Sequence, residues 1–274
     1  MKNHPWWGAL LALVCAGAAG AQEEVPDYFC WKTALLVTID GRGDEPAWQE
    51  APPAELVDVR FLSGDRYHSR RTEARMLWDD LYFYFLFTAS DPDVWSTYSE
   101  RDMQLWQEEV VEIFIDPDGD GRNYAEVEVN PLNAVFDLLV SGPWSEGGQG
   151  FAQWNPQLAT AVQVTGTVND PADTDQGWGV EVALPWTSLG RELLDVPGEK
   201  SLPPQPGDEW RLNLYRFERV RQNGTESESQ ASAWSPVGRV DFHVPERFGK
   251  VVFRDRLTAV AGTSWAEVKA GEER

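Results

Sequence analysis

Apolar and polar residues alternate along this chain in short runs, separated by clusters of Gly, Pro, Asp and Asn. The runs are ALLVTI (34–39), ELVDVRF (55–61), TEARMLW (72–78), LYFYFLFTA (81–89), VVEIFID (110–116), NYAEVEVN (123–130), AVFDLLV (134–140), ATAVQVTGTV (159–168), WGVEVALP (178–185), EWRLNLYRFERV (209–220) and KVVFRD (250–255). Successive side chains of a strand point to opposite faces, so a period of two predicts strands with one face on a core. The Asp79-Asp80 pair between two runs predicts a hairpin. No stretch sustains a helical period; only PWTSLGREL predicts a short helix, with Pro185 at its first turn. Ten or more short strands predict an all-β fold, a single antiparallel β-sandwich over residues 35–255 without internal repeats. Residues 22–34 read as a lead segment, DVPGEKSLPPQPGDE as a loop, and 256–274 as a charged tail.

The first 21 residues change the picture of where the chain works. MKNHPWWGALLALVCAGAAGA has one lysine, an apolar stretch short for a membrane span, and an Ala19-Gly20-Ala21 end that predicts cleavage before Gln22. Val14 precedes Cys15 where a lipoprotein signal carries a small residue, so the reading is bacterial export to the periplasm or medium, without lipidation. No later stretch is long and apolar enough to cross a bilayer as a helix, so no membrane insertion is expected. The formal net charge is −22. Such a chain repels nucleic acid and anionic lipid and attracts cations or neutral ligands. After cleavage Cys30 is the one cysteine left, which excludes an internal disulfide and predicts a buried small hydrophobe.

Candidate chemistry centres on LWQEEVVEIFIDPDGDG (105–121). Period two places Val111, Ile113 and Ile115 on one face and Glu112 on the other. In NYAEVEVN it places Ala125, Val127 and Val129 opposite Glu126, Glu128 and Asn130. If the two runs pair, the aliphatic faces belong to the core and Glu112 shares a face with Glu126, Glu128 and Asn130. That face is either solvated or offset by a basic partner, a metal or polyol hydroxyls. The turn DPDGDGRN carries Asp116, Asp118 and Asp120 at alternate positions. The twelfth position holds Val127 and the flanks are strands, so it is no EF-hand; it is an Asp/Gly turn or a Ca²⁺ site. Nucleophile motifs are missing, and His68 and His243 have no metal-ligand spacing. Among forty-five acids, paired carboxylates alone do not define a glycosidase. Fourteen tryptophans are unusual for this length. Trp78, Trp178 and Trp186 flank strands and read as core. Trp95, Trp106, Trp144, Trp154 and Trp234 read as loop aromatics, whose flat rings suit the C–H face of a sugar.

The order of IDG…PAW, LWDDLYFYFLFTASD, DMQLWQEEVVEIFIDPDGDGRNYAEVEVNP, GWGVEVALPWTSL, PGDEWRLNLYRFER, SAWSP and VPERFGKVVF resembles that of family 9 carbohydrate-binding modules within the DOMON-like β-sandwiches, over about residues 35–254. The resemblance implies a non-catalytic protein that clamps a saccharide between aromatic rings and serves carbohydrate catabolism. By position it implies Trp106 and Phe242 as the clamp, with Glu112, Asn130 and Glu128 as polar contacts and structural calcium. Glu128 stands where sugar-binding members carry a basic residue, and Phe242 where they carry Trp. DOMON-like relatives with b-type haem supply the alternative of a redox domain with Met103 and His243 as axial ligands. A glycoside hydrolase using Glu112 is a third reading.

Overall fold

The computed structural model describes residues 24–190, 201–222 and 224–256. The expected leader, residues 191–200 with the end of the expected helix and the start of the expected loop, Asn223 and the tail beyond Arg256 lie outside them. The strands are β1 (Asp27–Lys32), β2 (Ala54–Glu55), β3 (Val57–Asp58), β4 (Thr72–Trp78), β5 (Tyr82–Ser90), β6 (Val110–Asp116), β7 (Tyr124–Val129), β8 (Val135–Val140), β9 (Gly150–Phe151), β10 (Ala159–Thr165), β11 (Gly177–Pro185), β12 (Glu209–Gln222), β13 (Thr225–Ala233) and β14 (Gly249–Arg254). One four-residue helix, α1 (Trp186–Leu189), follows Pro185.

The strands run in the order β10-β11-β5-β4-β1-β14-β12-β6-β7-β8-β9, with β13 beside β12. The β4–β5 hairpin is antiparallel as expected across Asp79-Asp80, β6 and β7 pair so that their aliphatic faces coincide, and β10 and β11 form a further antiparallel pair. Strand β1, inside the expected lead segment, pairs parallel with both β14 and β4, and holds β4 through only two residue pairs. The path folds over at this thin seam. Met76, Phe85 and Val180 of one half then meet Ile113, Val127, Leu214 and Val251 of the other in a single buried cluster. Phe83 lies against Trp186 at 5.4 Å and Trp210 against Phe253 at 5.1 Å. Each such fully buried side chain contributes about 1.5–3 kcal/mol.

Three local expectations differ. Residues 34–39 form no strand: Val37 and Ile39 pack on the Trp48 cluster while Leu36 is 82% exposed, so one-sided contact produces the alternation without a ladder. Residues 55–61 supply only the two-residue strands β2 and β3 before the chain turns. Trp234 is buried and meets Tyr28 edge-on; a Cβ at Gly249 would lie 2.4 Å from its ring, so only glycine allows this approach.

Several motifs act as internal latches. Glu181, wholly buried on β11, accepts hydrogen bonds from the Asp40 and Gly41 amides and from the Trp48 indole at 2.7–2.8 Å. This ties IDG…PAW to the sheet. Asn213 exchanges two hydrogen bonds with the Ser235 backbone and so ties SAWSP to β12. Cys30 is wholly buried, and burial pushes its thiol pKa up.

Candidate functional site

The outward face of β12-β6-β7-β8 forms the floor of the site. Register sets Tyr215, Glu112, Glu128 and Phe136 in one row across four strands, and Asn213, Phe114, Glu126 and Leu138 in the next. The aliphatic faces of β6 and β7 lie in the core as expected. The acidic face, however, is not solvated. Glu112, Glu126 and Glu128 are 2%, 5% and 0% exposed.

A cavity of about 380 Å³ opens over this floor, lined by Trp106, Glu112, Glu126, Phe136, Leu138, Trp144, Phe217, Phe242 and His243. The size is near the lower end for small-molecule sites. Trp106 is half-buried, with its ring edge-on to Phe136 at 5.1 Å. Trp144 is 43% exposed and contacts the His243 ring at 4.9 Å. Phe242 stacks on Tyr215 at 4.1 Å and on Phe217 at 4.4 Å. Much of its ring area is therefore already engaged, and Trp144 is the more exposed of the lining rings.

The structure thus brings Trp106, Glu112 and Phe242 to one cavity, with Glu128 beside Glu112 just behind the lining. It does not bring Asn130 there. The Asn130 amide donates to Ser96 Oγ and Tyr98 O and accepts from the Leu132 and Ala134 amides, so its polar atoms are committed to the fold. Glu108 holds the same 96–98 segment by accepting from Ser96 Oγ and the Thr97 amide. His243 lines the cavity, but its Nδ1 is 2.9 Å from the Tyr124 hydroxyl and its ring packs on Phe114. Met103 packs on the neighbouring apolar cluster and does not line the cavity. This arrangement does not pair Met103 and His243 across a haem. Phe136 and Phe217 are lining residues that sequence reasoning missed, whereas alternation had set Glu126 on the right face and Trp144 was among the expected loop aromatics.

The electrostatics follow from burial. Desolvation raises the pKa of Glu112 well above the ordinary carboxylate range, and the charge of Glu126 adds to it. Burial raises Glu126 to about 7. Glu128 is raised by burial and by both neighbouring acids, and it lies close enough to Glu126 for the pair to share a proton. Neither oxygen of Glu128, nor Oε1 of Glu112, has a hydrogen-bond partner of normal geometry. His243 is lowered to about 4 by burial and is neutral at pH 7.

The Asp116–Asp120 turn lies at the far end of β6. One oxygen from each of Asp116, Asp118 and Asp120 falls within 4.8 Å of the others. Gly119 and Gly121, both at positive φ, turn their amides onto Asp116 at 2.9 Å. Asp118 Oδ2 is buried without a partner, which suits a cation. A larger cavity of about 770 Å³ lies over β4, β5, β10 and β11, lined mainly by Thr88, Ser90, Gln163, Gly177 and charged residues. Trp178 borders it but is only 3% exposed, so it offers no aromatic platform.

An all-β sandwich with an aromatic, acid-floored cavity under its loops is the architecture of a small-molecule binding module. The family profile "Carbohydrate family 9 binding domain-like" matches residues 39–256, and the chain belongs to that family. A 159-residue stretch is 28% identical to exoglucanase XynX of Acetivibrio thermocellus, covering 57% of this chain and 12% of that protein. The chain therefore matches a small part of this curated relative. The fold is also that of a family 9 carbohydrate-binding module from Caldicellulosiruptor kristjanssonii, solved with cellotriose (TM-score 0.55, 16% identity, 87% of this chain and 98% of that one). A structure of a family 9 module from that organism with glucose gives TM-score 0.54 at 16% identity, over 86% and 99% of the two chains.

Proposed function

We propose that the protein is an exported, non-catalytic saccharide-binding protein whose ligand sits between Trp106 and Trp144, over the Glu112 carboxyl. The observation that carries this reading is the convergence of the two indoles and a buried acid on one cavity of about 380 Å³. Indole faces match the C–H face of a pyranose, and the acid supplies a directional hydrogen bond to a hydroxyl. Family membership supports the same reading, as do sandwich neighbours that hold cellotriose and glucose. Binding is favoured over hydrolysis by the placement of the acids. A retaining glycosidase sets two carboxyls about 5 Å apart flanking the scissile bond. Here Glu112 and Glu126 sit on adjacent strands of one floor. Export is supported by the leader-like first 21 residues, and Asp116, Asp118 and Asp120 form the proposed Ca²⁺ site.

Calorimetric titration of the protein with glucose, cello-oligosaccharides and xylo-oligosaccharides tests the reading. Binding to at least one saccharide, lost in Trp106→Ala and weakened in Trp144→Ala with a nearly unchanged melting temperature, is the expected result. Unaltered binding in both variants removes the cavity from the account.

A further inference from the structure

We infer that the saccharide this cavity selects carries a free ammonium group, that is, an amino sugar or an oligomer of one. The inference rests on the saccharide-binding reading and narrows it. It starts from an imbalance of charge. Three carboxyl groups, Glu112, Glu126 and Glu128, bring oxygens within 4.8 Å of one another on the cavity floor. Among the described residues, no lysine or arginine nitrogen lies within the 4.0 Å ion-pair limit of any of them. His243 Nε2 is 3.8 Å from Glu126 Oε2, but the ring is neutral. Arg219, the cation whose field reaches Glu112, makes no ion pair with it: its terminal nitrogens donate to the Trp106 carbonyl at 2.6 Å and to Ser229 Oγ at 2.8 Å, and its Nε has no partner.

A second observation points to a ligand. Glu112 is 2% exposed, lines the cavity, and leaves Oε1 with no partner. Buried acids without partners are costly, and a cation placed over them offsets that cost. The walls specify the kind of cation. Trp106, Trp144, Phe136, Phe217 and Phe242 present rings and C–H edges and no further oxygens. A hard cation such as Ca²⁺ needs six or more oxygens, or waters, around it. An organic ammonium instead gains from a ring face on one side and a carboxylate on the other. A neutral sugar hydrogen-bonds the acids in their protonated form but offers no counter-ion to the ionised one.

Proton linkage supplies an independent readout. The groups facing the trio are Tyr124 on β7, Tyr215 and Arg219 on β12, and His243 on the covering loop; β8 contributes only Phe136 and Leu138. Burial raises all three carboxyls of the trio, Glu126 to about 7, so the trio is where a proton is exchanged near neutrality. An arriving ammonium ion therefore expels about one proton from the trio into buffer.

The test is calorimetry at pH 7 on the intact protein with glucosamine, N-acetylglucosamine and glucose, repeated in two buffers of different ionisation enthalpy. Glucosamine binding about tenfold or more tighter than the other two, with proton release, is expected. Glu112→Gln should reduce that preference. Since glutamine keeps the shape of the protonated acid, a circular-dichroism melt matching the wild type certifies the variant, and Glu126→Gln serves as the second. Equal or tighter binding of glucose or N-acetylglucosamine overturns the inference and leaves the saccharide site standing. Binding of none of the three by a folded protein that binds cello- or xylo-oligosaccharides overturns the inference alone, and binding of no saccharide at all overturns both. Calcium bound in the cavity, competing with glucosamine and lost in Glu112→Gln, assigns the trio to a metal and also overturns the inference.

Discussion

Replacing Glu126 by glutamine should stabilise the protein at alkaline pH and leave it unchanged in acid. Glu126 is 5% exposed, and Oε2 has no hydrogen-bond partner. Burial raises its pKa from the ordinary 4.5 to about 7. The folded pKa thus lies above the unfolded one, so between these values the folded state holds a proton that the unfolded state has lost. The associated stability is fully present below about pH 4.5 and is lost as pH rises through about 7. A shift of this size corresponds to about 3 kcal/mol, at roughly 1.4 kcal/mol per unit. Glutamine resembles the protonated acid and never ionises, so Glu126→Gln escapes that loss and also relieves repulsion on Glu112 and Glu128. At pH 8.5, in buffer free of amines and divalent cations, the variant should gain about 2–3 kcal/mol, or roughly 5–10 °C for a domain of this size. Urea unfolding of both proteins from pH 5 to 8.5 measures the difference. The two stability curves should meet at pH 5 and diverge above pH 6. Curves that stay parallel, or a wild type more stable at pH 8.5, would refute the claim that this acid is ionised at a cost in the fold.

Three other outcomes follow from the same structure. Asn130→Ala should lower stability by about 2–4 kcal/mol in urea unfolding, because four hydrogen bonds are lost from a wholly buried side chain. A variant of ordinary stability with selective loss of ligand would assign Asn130 to binding instead. Arg216 is 1% exposed and pairs with Asp91 at 3.0 Å and with Glu218; Arg216→Met should cost about 3–5 kcal/mol by leaving those acids unpaired, read by the same unfolding assay. Calcium at about a hundredfold its dissociation constant should stabilise the protein by about 2.7 kcal/mol, an effect lost in Asp118→Ala; a melting temperature indifferent to calcium and chelator would return the Asp turn to a purely local role.

The strands with clear alternation were legible, as β4, β6, β7, β8 and β11 lie within a residue or two of the expected runs. Periodicity failed where it had another cause, as at residues 34–39, or where polar residues built a strand, as in TESESQASA of β13. Strand β1 escaped because its six residues, DYFCWK, are short and gain their place from parallel partners distant in sequence. For the site, alternation put Glu112, Glu126 and Glu128 on one face, yet it carried no information about the loops that bury that face. The same limitation left Trp144 one of five loop aromatics and His243 a candidate only for haem, since both reach the cavity through folding of the covering segments. Asn130 illustrates the converse. It shares the acids' face by period, but the tight turn after β7 recruits its amide for the Leu132 and Ala134 amides. Several quoted motifs work as latches, Glu181 and Asn213 among them, which explains why they indicated the fold more strongly than the ligand.

The most direct test is a crystal structure of the protein soaked in a saccharide that calorimetry shows to bind. The account predicts one pyranose ring in van der Waals contact with Trp106 or Trp144, with a polar substituent within hydrogen-bond reach of Glu112. Density for the sugar over Thr88, Gly177 and Gln163 on the opposite sheet, with the acid-floored cavity left to solvent, would contradict it.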